Sequence, residues 1–98
     1  METLNELISS STPVLVDFYA DWCGPCKMMS SILVQVKQKH KESIRIIKVN
    51  VDRNKKTAMQ YSIQSIPTLM IFKEGKLLWR QSGVIQAEEL DGVIEMLK

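Results

Sequence analysis

Val14-Leu15-Val16-Asp17-Phe18-Tyr19-Ala20-Asp21-Trp22-Cys23-Gly24-Pro25-Cys26-Lys27 is the stretch whose reading decides the fold. Its first six residues are β-branched, aliphatic or aromatic at every position but Asp17. That pattern predicts a strand buried on both faces in the middle of a sheet. A helix is predicted to follow, from 24 to about 40. On it Met28, Met29, Ile32, Leu33 and Val36 share one face, and Lys27, Ser30, Lys37 and Lys41 are placed towards solvent. Two cysteines therefore stand where a buried strand turns into a helix. They are the only two in the chain, so either they bond to each other or each reacts with something outside. A dithiol at this spacing can close a small ring and open it again, which suits an electron carrier.

Working outward, Thr3 to Ser9 reads as a short helix with Leu4, Leu7 and Ile8 on one face. Thr3 is its cap and Glu6 the capping-box partner. Ile44 to Val51 is a second strand, and Asp52-Arg53-Asn54 opens a short helix over about 55–61. Thr68 to Phe72 is a third, buried strand. A turn at Lys73-Glu74-Gly75-Lys76 and a return strand from Leu77 to Gln81 complete a hairpin. The last helix, about 87–97, places Ala87, Leu90, Val93, Ile94 and Leu97 inward, with Glu88 and Glu89 at its positive end. The order is α-β-α-β-α-β-β-α. The helix crossover makes the first two strands parallel and its connection right-handed, and the hairpin makes the last two antiparallel. The fold class is α/β, a mixed sheet with helices on both faces.

A chain of 98 residues, 45% hydrophobic and 24% charged, fits one soluble domain over 1–98. A net charge of +2, with no basic run interleaved with aromatics, excludes a nucleic-acid partner. Lys37–Lys41 and the group Arg53, Lys55 and Lys56 read as solvated surface. No apolar run approaches the roughly 20 residues that span a bilayer. The start, Met1-Glu2-Thr3-Leu4-Asn5-Glu6, is acidic where a signal peptide is basic. The expected location is the cytoplasm, whose reducing poise argues for a catalytic or metal-binding pair over a structural bridge.

Cys23 falls at a helix N-terminus, where free N–H groups and the helix dipole favour an anion. Pro25 suits the first turn. Such a site lowers a thiol pKa, and the thiolate is the attacking species. Cys23, nearer the helix start, is expected to be the more exposed and to attack a substrate disulfide. Cys26, one turn inside, is expected to resolve the mixed disulfide. Structural zinc takes four ligands; two cysteines and His40, read as a surface residue at a helix end, fall short. Asp17 is the one charge in an apolar strand, so burial raises its pKa, and it is a candidate proton acceptor for Cys26. Lys48 is placed on the neighbouring strand, able to tune Asp17. Pro67 stands just before a buried strand, and spacing alone leaves its peptide bond cis or trans.

Taken together these residues resemble the thioredoxin family, over about Val14 to Leu97. The resemblance rests on Val14 to Met28, on Lys48-Val49-Asn50-Val51-Asp52, on Ile63-Gln64-Ser65-Ile66-Pro67-Thr68-Leu69, and on Gly75 and Gly83. It implies the thioredoxin fold and a protein-disulfide reductase with no bound cofactor. It further implies a cis Pro67 and a peptide-binding groove formed by Trp22, Gly24, Pro25, Ile66, Pro67 and Gly83, in which Ile66 offers backbone hydrogen bonds. Gly-Pro between the cysteines goes with the reducing members. The implied partners are disulfide-containing client proteins and an NADPH-dependent flavin reductase, thioredoxin reductase, with the chain a monomer. Three departures stand out. The family's N-terminal edge strand is expected to be absent or vestigial, Ser31 replaces a helix-kinking proline and predicts a straighter helix, and Ser82 replaces an apolar residue before Gly83. Trp79, unexpected in the final strand, is read as core or edge packing. The alternative reading is a thioredoxin-like binding or scaffold domain, which needs neither the intact cysteine motif nor Asp17.

Overall fold

The computed structural model describes residues 3–98. The elements follow the order α1 (Leu4–Ile8), β1 (Val14–Tyr19), α2 (Gly24–His40), a single 3-10 turn (Lys41–Ser43), β2 (Arg45–Asn50), α3 (Lys55–Gln60), β3 (Thr68–Lys73), β4 (Lys76–Ser82) and α4 (Ala87–Leu97). The strands form one sheet in the order β2-β1-β3-β4. β1 is central, parallel to β2 and antiparallel to β3, and β3 and β4 form the antiparallel hairpin. Among the described residues no strand precedes α1.

Alternation along β1 splits the core in two. Leu15 points to one face with Leu69 and Ile71, where Met29, Ile32, Leu33 and Val36 of α2 and Leu90 and Ile94 of α4 cover it. Val14, Val16 and Phe18 point to the other with Met70 and Phe72, beneath Ile8 of α1 and Tyr61 and Ile63 beyond α3. Trp79 is half-buried against the α2–α4 side, as packing at the sheet predicts. Asp17 shares the Leu15 face.

The turn between β3 and β4 is two residues, Glu74 (φ 54°) and Gly75 (φ 81°). Paired positive φ values match the twist of a hairpin, and Gly75 adopts its value without Cβ cost. Both turn amides are used: Glu74 N–H donates to the Ser10 carbonyl (2.8 Å) and Gly75 N–H to the Ile8 carbonyl (3.0 Å), tying the end of α1 to the hairpin. At the start of α1, the Thr3 hydroxyl accepts from the Glu6 N–H and donates to the Glu6 carboxylate, both at 3.2 Å.

Two expectations for α2 fail. Met28 is 58% exposed, because it lies about 40° outside the stripe of Cys26, Met29, Ile32, Leu33, Val36 and His40 at 100° per residue. His40, expected at the surface, belongs to that stripe and is 4% exposed. Its Nε2 donates to Asp91 Oδ1 of α4 at 2.9 Å, and Nδ1 lies 3.6 Å from Glu95 Oε1. Burial raises the Asp91 pKa, but hydrogen bonds and charge from His40 and Lys39 outweigh it and hold the carboxyl below its ordinary value. Strand and helix ends shift by a residue or so. β2 starts at Arg45 because the 3-10 turn occupies the approach to Ile44, and Val51 leaves the strand while its N–H still donates to the Tyr19 carbonyl (2.8 Å). α2 runs unbroken through Ser31.

Candidate active site

The chain leaves β1 through a tight turn, in which Cys23 N–H donates to the Ala20 carbonyl at 3.3 Å. Cys23 keeps an extended backbone (φ −92°, ψ 110°) and is the N-cap of α2, with Pro25 in the first turn. Its Sγ accepts the Cys26 N–H at 3.2 Å. A sulfur thus occupies the place of a capping oxygen, receiving a donor that the helix cannot satisfy internally. The Cys23 and Cys26 Cα atoms are 5.3 Å apart and the two sulfurs are bonded to each other. That settles the choice left open by the sequence.

Exposure does not separate the two cysteines: Cys23 is 4% and Cys26 2% exposed in the disulfide. The sides they face do. Cys23 lines an open groove of about 410 Å³ with Trp22, Pro25, Val51 and the segment 63–66. Cys26 lines a separate recess of about 190 Å³ with Tyr19, Asp21, Lys27, Ser30 and Lys48. The walls of the groove are mostly apolar. The recess carries the charged groups.

The Ile66–Pro67 peptide bond is cis, and the Ile66 carbonyl oxygen lies 3.8 Å from Cys23 Sγ. Around it the Thr68 hydroxyl donates to the Ser65 carbonyl (2.7 Å) and contacts the Ser82 hydroxyl at 3.1 Å. Gly83, at φ 88°, donates its N–H to the Pro67 carbonyl at 2.8 Å. Of the six groove residues expected from the sequence, Trp22, Pro25 and Ile66 line the cavity. Gly24, Pro67 and Gly83 do not; Pro67 and Gly83 support the loop that carries Ile66. Val51, Ile63, Gln64 and Ser65 were missed as lining residues. Their signal was membership of the quoted motifs, Val51 in 48–52 and Ile63, Gln64 and Ser65 in 63–69.

Asp52 was also missed. Its Oδ2 accepts the Trp22 indole N–H at 2.8 Å across 30 residues, holding an indole that is 72% exposed. Asn50 holds the Asp52 loop in turn, its Oδ1 accepting from the Asp52 and Arg53 amides at 2.9 and 3.3 Å.

Asp17 is fully buried, in register with Lys48 on β2 and Leu69 on β3. Among the described residues neither of its carboxylate oxygens has a hydrogen-bond partner. Burial pushes its pKa from 3.8 up to about 6, and the Lys48 charge opposes the rise. The Lys48 ammonium reaches α2, donating to the Ser30 hydroxyl, and stands 4.8 Å from the centre of the Tyr19 ring. Among the described residues no three His, Cys, Asp or Glu side chains are grouped to hold a metal ion.

The Thioredoxin family model matches residues 1–96. The chain belongs to the thioredoxin family. It is 42% identical over 90 residues to thioredoxin 1 of Synechococcus elongatus, covering 92% of this chain and 84% of that one. It is 50% identical over 84 residues to a thioredoxin-like protein of Synechocystis, covering 86% and 80%. Among solved structures it is similar to oxidized mitochondrial thioredoxin 3 of Saccharomyces cerevisiae, with a TM-score of 0.84, 32% identity and coverage of 94% and 85%. With its cysteine pair at disulfide distance, this thioredoxin-family chain is a thiol–disulfide oxidoreductase of the protein-disulfide reductase type. Its general partners are disulfide-containing substrates and a reductase, as the family implies. No helix among the described residues is long and apolar enough to cross a membrane.

Proposed function

We propose that the chain, acting as a single-domain monomer in the cytoplasm, reduces client proteins with Cys23 as nucleophile and Cys26 as resolving thiol. The observation that carries the assignment is the capping hydrogen bond. The Cys26 N–H and the α2 dipole stabilise negative charge on Cys23 Sγ, the sulfur beside the groove. The Cys23 thiolate attacks one sulfur of the client disulfide, forming a mixed disulfide and releasing the first client thiolate, which takes a proton. Cys26 then gives its proton to Asp17 and attacks Cys23 Sγ. The Cys23–Cys26 bond forms, the mixed disulfide breaks, and the second client thiolate leaves and is protonated. Two electrons and two protons pass from the dithiol to the client.

Asp17 suits the proton step because its raised pKa, about 6, makes it a stronger base than an exposed carboxylate. Lys48 moderates that basicity. Trp22, Pro25 and Ile66 form the client site, Pro67 and Gly83 support it, and Gly24 leaves the approach to the cysteines open, with the backbone beside Cys23 adding a short strand-like contact. An NADPH-dependent flavin reductase, thioredoxin reductase, restores the dithiol, so the chain serves electron transport and cell redox homeostasis. Insulin-disulfide reduction with dithiothreitol or that reductase tests the reading. Cys23→Ser should abolish turnover, and Cys26→Ser should trap clients as mixed disulfides; turnover by Cys23→Ser equal to the unaltered protein would defeat it.

A further inference from the structure

We propose that Ser30 is a positioning residue for the exchange reaction: its hydroxyl holds the Lys48 ammonium at the mouth of the Cys26 recess and so keeps it off the Asp17 carboxylate. The inference rests on the reading of Asp17 as proton acceptor for Cys26. Lys48 sits directly beside Asp17 in the parallel register of β1 and β2. A lysine at that place has the length to form an ion pair with the carboxylate. It does not: both Asp17 oxygens lack a hydrogen-bond partner among the described residues. The ammonium instead donates to Ser30 Oγ on α2 and packs over the Tyr19 ring.

Ser30 stands one helical turn after Cys26, and both line the same recess. A short hydroxyl at this position is an acceptor that an alanine would not supply. The charged groups around the recess are Asp21 at the end of the β1 turn, Lys27 on α2 and Lys48 on β2; from β3 Asp17 meets the apolar Leu69. Lys48 is thus the cation whose placement decides how basic the carboxylate is. In direct contact it would stabilise the ionised form strongly and leave a poor proton acceptor. Held by Ser30, it leaves the carboxylate basic while remaining close enough to stabilise the charge that forms.

The test compares the unaltered chain with Ser30→Ala, Ser30→Thr, Lys48→Met and the Ser30→Ala/Lys48→Met pair, all in the disulfide form. The readout is the pH titration of the Asp17 carboxyl carbon by NMR. Alanine is a good helix former, so the first variant keeps α2 intact. Ser30→Ala should lower the Asp17 midpoint by about one pH unit, a tenfold fall in proton affinity. Ser30→Thr, which keeps the hydroxyl, should restore it, and Ser30→Ala should have no effect once Lys48 is Met. An unmoved or raised midpoint in Ser30→Ala overturns the proposal, and so does an equal shift with and without Lys48. Insulin reduction by the unaltered chain, run in parallel, reports on the disulfide-reductase reading independently, because the titration needs no turnover.

Discussion

Replacing Asp17 by Asn removes a charge that the fold holds at a cost. The carboxylate is fully buried between Lys48 and Leu69, and its pKa rises from 3.8 to about 6. At about 1.36 kcal/mol per pKa unit, that rise corresponds to about 3 kcal/mol. Because the folded state binds the proton more tightly than the unfolded one, the cost is absent below the unfolded pKa. It grows as pH rises from about 4 to 6, and is complete above about 6. Asn keeps the shape and the buried polar atoms but has no charge. The variant should therefore match the parent at about pH 3 and exceed it by about 3 kcal/mol at pH 7. Guanidinium titration of the disulfide form across pH 3–8 measures this directly. In melting temperature the neutral-pH gain is more than about 10 °C for a domain of this size. A difference between the two proteins that stays constant with pH would refute the reasoning, since packing changes carry no proton. The same variant should slow resolution of the mixed disulfide, setting stability against activity at one residue.

The remaining predictions concern other contacts. In the reduced protein with Cys26→Ser, alkylation of Cys23 followed against pH should titrate about one unit or more below the ordinary thiol value of about 8.5; a midpoint at or above that value contradicts the capping assignment. Asp91→Ala strands the buried His40 without its acceptor and should cost about 1–3 kcal/mol by chemical denaturation; combining it with His40→Leu should recover part of the loss, and no recovery would count against the buried pair. Asp52→Ala should leave stability within about 1 kcal/mol but free the Trp22 indole N–H, seen as faster exchange of its NMR signal with water; unchanged exchange would show that the hydrogen bond does not hold the ring.

Where a strand or helix buries a continuous apolar pattern, the residues themselves announce it. β1 and β3 read as buried because alternating faces are both covered, and α2 and α4 because their stripes repeat at helical spacing. The cysteine pair was legible for a different reason, its members being the only two cysteines in the chain. His40 was misread because Lys37, Lys39 and Lys41 around it look like a solvated helix end, while its acceptor, Asp91, is 51 residues away. Met28 shows the reverse error, an apolar residue just outside the stripe. Val51, Asp52 and the segment 63–65 join the site only when three loops meet, and no local period encodes that meeting. The orphaned Asp17 oxygens and the reach of Lys48 to Ser30 likewise depend on how β2 and α2 sit across one another.

The Cys23–Cys26 bond lies between two openings, the groove beside Cys23 and the recess beside Cys26. On the proposed mechanism a docked client fills the first and leaves the second open. On that mechanism electrons leave the bond on the groove side, and the Cys26 proton leaves on the side away from the client. The Cys26 proton passes to the buried Asp17 while the client is still attached at Cys23. Crowding at one opening and a change of pH at the other should act on the cycle as independent controls.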